Sequence, residues 1–352
     1  MRFAFTNQQL ELRDAVRQVL DDRCTPADVR AAYDDPDPHT ARWATLAELG
    51  VVGMTAPPAH GGLGMTAVDL VLVLEEAGRS ALPEPLAATA ALAVPVLAGV
   101  GGAAADRWLP AIVDGSAVPA VGRAEPGPPV LVRGADGADL LVLVGEEGGV
   151  HVLGAHEVDV TPVPCLDPTR RLARVSWSPG DGAAGPAGEA ARLLGATAAA
   201  ATAAELVGLA ERLVADTAAY AKERHQFGKP IGSFQAVKHL LAGALVQLEF
   251  ARPLVYASAW ALAENRAEAR LAASAAKSAA ADAATEAARV AIQVHGAIGY
   301  TWECDVQLFA KRVWSLVPAW GDAAEHRAAL LAALVARRTG DASDGRRERD
   351  RG

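Results

Sequence analysis

The hydrophobic pattern of this chain changes its period twice, and the order of those changes constrains the fold more than any other feature. From Thr6 to Val113 apolar residues recur at helical spacing, as at Leu10, Leu12, Val16, Val19 and Leu20, with Thr6 placed as an N-cap. A second helix is expected over about 40–49, stopped by Gly50, and Pro57 to Gly64 is a turn-rich break that no helix crosses. Thr66 or Asp69 starts a third, running through Leu70, Leu72, Leu74 and Ala77 to Gly78, and others are expected near 86–99 and 103–113.

Around Pro119 the texture becomes β-like, with short runs at Val130–Val132, Leu140–Val144, Val150–Leu153 and Ala173–Trp177 separated by Gly, Pro and Asp. Gly180 to Pro186 reads as the linker out of this block. Alanine-rich helical segments follow near 189–225, 233–264, 267–295 and 323–338. The expected architecture is α+β, mainly α: a helical domain over 1–118, a small β domain over 119–187, a helical bundle over 188–339, and a solvated, disordered tail over 340–352.

Composition narrows the function. The 352 residues are 51% apolar but only 5% aromatic, the excess being alanine, which suits closely approaching helices. A net charge of -9 and the lack of a basic stripe exclude a general nucleic-acid binder. Cys24, Cys165 and Cys304 are too scattered for a disulfide framework or a zinc site, so a reducing, cytoplasmic setting and no metal are expected. No leader is expected, and Pro83, Glu84, Pro85 and Pro95 disqualify the apolar run Leu82–Val100 as a membrane span.

Two segments carry the functional signal. Arg224-His225-Gln226-Phe227-Gly228-Lys229-Pro230 leads to Gln235, and Gln293 to Tyr300 includes His295, Gly296 and Ala297. By local chemistry alone both are helix ends, the first with Gly228 as a C-cap and Pro230 blocking continuation. Together they resemble the flavin-contacting segments of the acyl-CoA dehydrogenase family. Trp43 to Gly50, Gly61-Gly62-Leu63-Gly64 and Glu75 to Arg79 are similar to that family's amino-terminal domain, in the same order. The resemblance implies an amino-terminal helical domain, a middle β domain and a carboxyl-terminal four-helix bundle. It implies FAD as cofactor, an acyl-CoA thioester as substrate and an electron-transferring flavoprotein as acceptor. It also implies that Arg224, Gln226, Phe227, Gln235, Gln293, His295, Gly296 and Ala297 contact the flavin's ADP half across a subunit interface.

The chemistry needs a carboxylate to take the α-proton while the flavin accepts the β-hydride. Where the family has glutamate before glycine, this chain has Trp320-Gly321, and an indole has no basic site. The alternative position on the first helix of the last domain falls near Ala198-Ala199. Asp322 and Glu325 are the nearest carboxylates, but their spacing is that of a capping box. Glu303 matches a glutamate expected to be structural. In the β domain, Ala124-Glu125-Pro126-Gly127-Pro128-Pro129 lacks the hydroxyl and the Gly-Ser-Asp end that the family brings to its flavin.

Contacts offered to a neighbour are thus kept, and those used within the chain are lost. The resemblance then implies the base-lacking subunit of a heterotetrameric acyl-CoA dehydrogenase whose second subunit carries the glutamate. The alternatives are a self-sufficient enzyme that uses Asp322 or Glu325, and a scaffold that binds no flavin.

Overall fold

The computed structural model describes residues 4–35, 37–124, 127, 129–145, 149–178, 183–186 and 188–349. The first domain holds α1 (Asn7–Arg23), α2 (Pro26–Asp34), α3 (Ala41–Glu48), α4 (Ala67–Arg79), a π-helical stretch (Ala87–Ala93) continuing into α5 (Val94–Val100), and α6 (Gly102–Val113). The cap expected at Thr6 is present, its hydroxyl accepting from Gln9 N while Gln9 Oε1 accepts from Thr6 N at 2.9 Å. α2 was not expected from apolar periodicity. Thr25 caps it, Pro26 opens it, and Asp28 Oδ2 accepts from Thr25 N at 2.8 Å.

The middle domain stacks two sheets. The first has the order β1 (Pro119–Arg123), β3 (Leu140–Val144), β4 (Gly149–Gly154), β7 (Ala183–Pro186), with β1 parallel to β3 and the other pairs antiparallel. The second is antiparallel, β2 (Val130–Arg133), β6 (Leu172–Ser176), β5 (Asp159–Pro162). All of β3 is buried, because Leu140, Val142 and Val144 join the large helical core while Leu141 and Leu143 face the second sheet. A strand covered on both faces reads as a continuous apolar run, which is why Leu140–Val144 is the plainest strand in the sequence. Residues 183–186, expected as linker, form β7 instead and pair with the exposed side of β4; residues 179–182 lie outside the described residues.

The last domain holds α7 (Glu189–Arg192), α8 (Leu194–Glu223), the short hairpin β8 (His225–Gln226) and β9 (Lys229–Pro230), α9 (Gln235–Ala263), α10 (Ala269–His295), α11 (Val306–Leu316) and α12 (Ala323–Arg349). α10 is central, packing on α8, α9, α11 and α12. The backbone of 340–349, expected as a disordered tail, continues the helix of α12. α9 is the one described helix long and apolar enough to cross a membrane. Arg252 on it bridges Glu75 at 2.7 Å and Glu211 at 2.8 Å, which ties it into a helix bundle.

Buried Arg312 joins the domains. It pairs with Asp167 and donates to Thr169 Oγ1 at 2.5 Å in the β domain, while its Nη1 donates to the Leu82 carbonyl at 2.7 Å in the first domain.

Candidate functional site

A cleft of about 350 Å³ lies where the β domain meets the amino-terminal third of α8. Ala198, Thr202 and Glu205 line it from α8, at the spacing that puts side chains on one helical face. Arg123, Arg133 and Arg170 line it from the β domain, and Trp320 closes it from the turn between α11 and α12. Ala198, the alternative base position, therefore does face the cleft, and it presents a methyl group.

Trp320 is held there by specific bonds. It takes a left-handed backbone conformation, φ 58, followed by Gly321 at φ 98. Buried Lys277 donates from Nζ to the carbonyls of Val317 at 2.7 Å and Gly321 at 3.1 Å. Burial, and then the neighbouring Arg133, pushes the Lys277 amine down to about 8. His326 Nε2 donates to the Trp320 carbonyl at 3.1 Å, which leaves Nδ1 to accept from Ser274 Oγ at 3.1 Å. Burial and Lys277 hold this imidazole below its ordinary range, favouring that neutral form.

Asp322 and Glu325 are taken up as the sequence implies. Asp322 Oδ1 accepts from Ala324 N at 2.8 Å and Glu325 N at 2.9 Å, and Glu325 Oε2 accepts from Asp322 N at 2.9 Å. Helix-end N–H groups hold the Asp322 carboxyl below the usual carboxylate range. Neither side chain lines the cleft. Glu205 does, 6% exposed, and sequence reasoning missed it. The available signal was a lone carboxylate in the apolar run from Ala196 to Ala210.

The two marker segments lie together at the far end of α8. Arg224 ends that helix, and the chain turns through a two-residue hairpin with Phe227 at φ 52 and Gly228 at φ 75. Gly228 is thus a hairpin turn residue, not a helix C-cap. Phe227 is 91% exposed in a conformation that disfavours a side chain, and it meets Phe234 edge-on at 6.1 Å between centroids. Arg224, Gln226 and Gln235 are exposed, as are Gln293, Gly296 and Ala297 at the end of α10, while His295 is half-buried. Tyr220 on α8 stacks on His295 at 4.1 Å and brings the segments together.

The cleft and this surface sit at opposite ends of α8. From Ala201 to Glu223 the helix rises about 30 Å. The surface also offers room for a ligand: a Cβ at Gly296 or Gly228 would meet no atom within 4 Å, and Arg224 forms no ion pair among the described residues. Its residues therefore fit an extended phosphate-bearing cofactor. Ala124 offers no hydroxyl to such a cofactor; Glu125, Pro126 and Pro128 of the same loop lie outside the described residues.

A helical domain, a β domain and a helical bundle, with a cleft at their junction, define the acyl-CoA dehydrogenase type of oxidoreductase fold. Residues 6–116 match the family described as "Acyl-CoA dehydrogenase, N-terminal domain" and 191–334 "Acyl-CoA dehydrogenase, C-terminal domain". Acyl-CoA dehydrogenase IpdE2 of Mycolicibacterium smegmatis is 33% identical over 305 residues, 86% of this chain and 90% of that protein. IpdE2 of Mycobacterium tuberculosis is 36% identical over 303 residues, 86% and 89% of the two chains. A chain of the ChsE4-ChsE5 complex from Mycobacterium tuberculosis superposes with a TM-score of 0.84 at 25% identity, covering 95% of this chain and 99% of that one. The chain belongs to the acyl-CoA dehydrogenase family, whose members are FAD-binding oxidoreductases acting on acyl-CoA.

Proposed function

We propose that this chain is the base-lacking subunit of a heteromeric, FAD-dependent acyl-CoA dehydrogenase, and that it lends its Arg224 surface to flavin held mainly by the partner. The observation that carries this reading is the separation, about 30 Å along α8, between the Trp320 cleft and the exposed surface of Arg224, Phe227, Gln293 and Ala297. Groups so placed serve a cofactor seated in another chain. α9 supports the same conclusion, since Leu245, Val246, Phe250 and Leu254 form an exposed apolar row of the kind that marks a subunit contact. The ChsE4-ChsE5 neighbour is itself a complex of two named chains.

In this arrangement the partner supplies the carboxylate that takes the α-proton, and FAD supplies the hydride acceptor. This chain orients and shields. The Arg224 guanidinium, planar and always charged, presents two parallel N–H donors to a pyrophosphate. Phe227 covers a cofactor face, and Gly296 and Ala297 leave backbone open to approach. Electrons leave to an electron-transferring flavoprotein. Expressed alone, the chain is expected to be colourless and inactive; co-expressed with a glutamate-bearing family member, it is expected to form a yellow, active complex. In that complex Arg224→Ala should weaken flavin retention by roughly tenfold or more. A yellow, active homo-oligomer of this chain overturns the reading. So does a complex that binds no flavin, which would leave a scaffold.

Glu205 supports one second reading, a self-sufficient enzyme, because it is the buried carboxylate that lines the cleft. Asp322 and Glu325 do not support it, being engaged at the start of α12. If the isolated chain oxidises an acyl-CoA, Glu205→Gln should abolish that activity while D322A and E325A spare it.

A further inference from the structure

The charged groups of the Trp320 cleft are Arg123, Arg133, Arg170 and Glu205, and among the described residues none of them is in an ion pair. Arg123 is exposed and Arg133 and Arg170 are half-buried, whereas the more enclosed arginines of the fold are paired. Arg312 pairs with Asp167, Arg42 with Glu84 at 2.6 Å, and Arg252 with Glu75 at 2.7 Å. The Nε of Arg170 is buried with no hydrogen-bond partner. Among the described residues Arg133 bonds the Ser315 carbonyl at 3.5 Å, the outer limit of a hydrogen bond. Burial, and next Arg170, pushes the Arg133 guanidinium down to about 10, and the single carboxylate of Glu205 offsets this only in part, so positive charge is left in excess at the site. Buried polar atoms are normally satisfied, and the unpartnered Nε of Arg170, beside the weakly bonded Arg133, is an exception that a ligand would resolve.

The placement says where the anion goes. Arg133, Arg170 and Glu205 also line a second void, of about 50 Å³, so they stand at the neck between it and the main cleft. The cleft walls leading to that neck are aliphatic, with Ala87, Leu92, Val121 and Ala198. Positive charge prevails: three arginines face one carboxylate, with Lys277 close behind the Trp320 turn and Arg312 already neutralised by Asp167. A carbon chain along these walls would bring a terminal carboxylate between two planar donors, the geometry in which guanidinium binds best.

We propose that the Trp320 cleft takes an acyl group carrying its own carboxylate, clamped by Arg133 and Arg170 at the inner neck. The thioester half of this ligand rests on the family reading above. The heteromeric reading is not needed, because recognition requires neither a base nor flavin.

Calorimetric titration of the purified chain, and of its complex, tests this with glutaryl-CoA, butyryl-CoA and glutarate as probes. Glutaryl-CoA is expected to bind roughly tenfold or more tightly than butyryl-CoA, as a charge-assisted pair implies. Arg170→Met should remove the preference, lowering glutaryl-CoA affinity roughly tenfold or more relative to butyryl-CoA affinity. A melting temperature for that variant within a few degrees of the parent separates loss of recognition from loss of fold. Should R170M fail to fold, Arg133→Gln carries the same expectation. Equal affinity for both thioesters in the parent, or a preference surviving in both variants, overturns the proposal. If glutarate alone binds as tightly as glutaryl-CoA, the ligand is a free dicarboxylate and the acyl-CoA assignment falls. Loss of the preference in a complex that still holds flavin leaves the heteromeric function standing.

Discussion

Tyr220 stacks on His295 with ring centroids 4.1 Å apart and planes 19° from parallel, which joins the carboxyl end of α8 to that of α10. His295 is fixed from below as well, its Nδ1 donating to the Ala291 carbonyl at 2.7 Å. Residues separated by some seventy positions in the sequence are thereby presented as one surface. Tyr220→Ala removes a stack worth about 0.5–1.5 kcal/mol. The isolated chain is expected to melt within a few degrees of the parent, while the flavin content of its complex, read from the visible spectrum, falls. Unchanged flavin content would mean that the two segments act independently.

Trp320→Glu tests whether the missing carboxylate is the only deficiency. Glutamate would occupy the same left-handed position and the same wall of the cleft. The β-domain loop still lacks a hydroxyl at Ala124, so the variant alone is expected to remain colourless and without dehydrogenase activity. Dye reduction with an acyl-CoA series measures this. Turnover by W320E without a partner would show that the chain holds flavin in its own cleft.

Gly208 and Gly78 set the approach of α4 to α8. A Cβ at Gly208 would stand 1.9 Å from the Glu75 carbonyl oxygen, and one at Gly78 would stand 2.0 Å from the Glu205 carbonyl oxygen. Both obstacles are backbone, so the helices must move apart. Gly208→Ala is expected to destabilise by about 1–3 kcal/mol in a thermal melt, the usual scale of overpacking. Because Glu205 and Thr202 lie on the same helix, the variant should also weaken ligand binding in the cleft. A stable G208A with unaltered binding would show that this contact yields cheaply.

Much of the architecture was legible because local chemistry and tertiary contacts agree. Thr6, Thr66 and Asp322 announce helix starts, and the apolar run Leu140–Val144 announces a strand buried on both faces. α11 was not legible, since its buried face includes Arg312, a charge that only Asp167, Thr169 and the Leu82 carbonyl make tolerable. β7 was missed for the opposite reason: Ala183-Ala-Gly-Pro has no strand propensity and pairs because β4 offers an open edge. At the site, the markers and Trp320 were readable as local motifs. Glu205, Arg133 and Arg170 were not, because they meet only when α8 and the β domain pack, and no spacing in the sequence encodes that meeting.

Glu75 gives the fold a pH dependence of definite sign. Its Oε2 accepts from Arg252 Nη1 at 2.7 Å and from Tyr256 Oη at 3.3 Å, while its Oε1 is buried without a partner. Burial pushes the carboxyl up from 4.5 to about 7, against the opposing pull of Arg252. The folded chain therefore binds a proton that the unfolded chain has released between about 4.5 and 7. Its contribution to stability is complete below that window and is lost as pH rises through it. Glu75→Gln keeps the shape and removes the titration. The melting temperature of the parent minus that of E75Q is expected to decline from pH 4.5 to 7 and to level off on either side. A difference that instead rises with pH would mean that the ionised pair with Arg252 outweighs burial, and that α4 and α9 are joined by a salt bridge in which Glu75 stays charged.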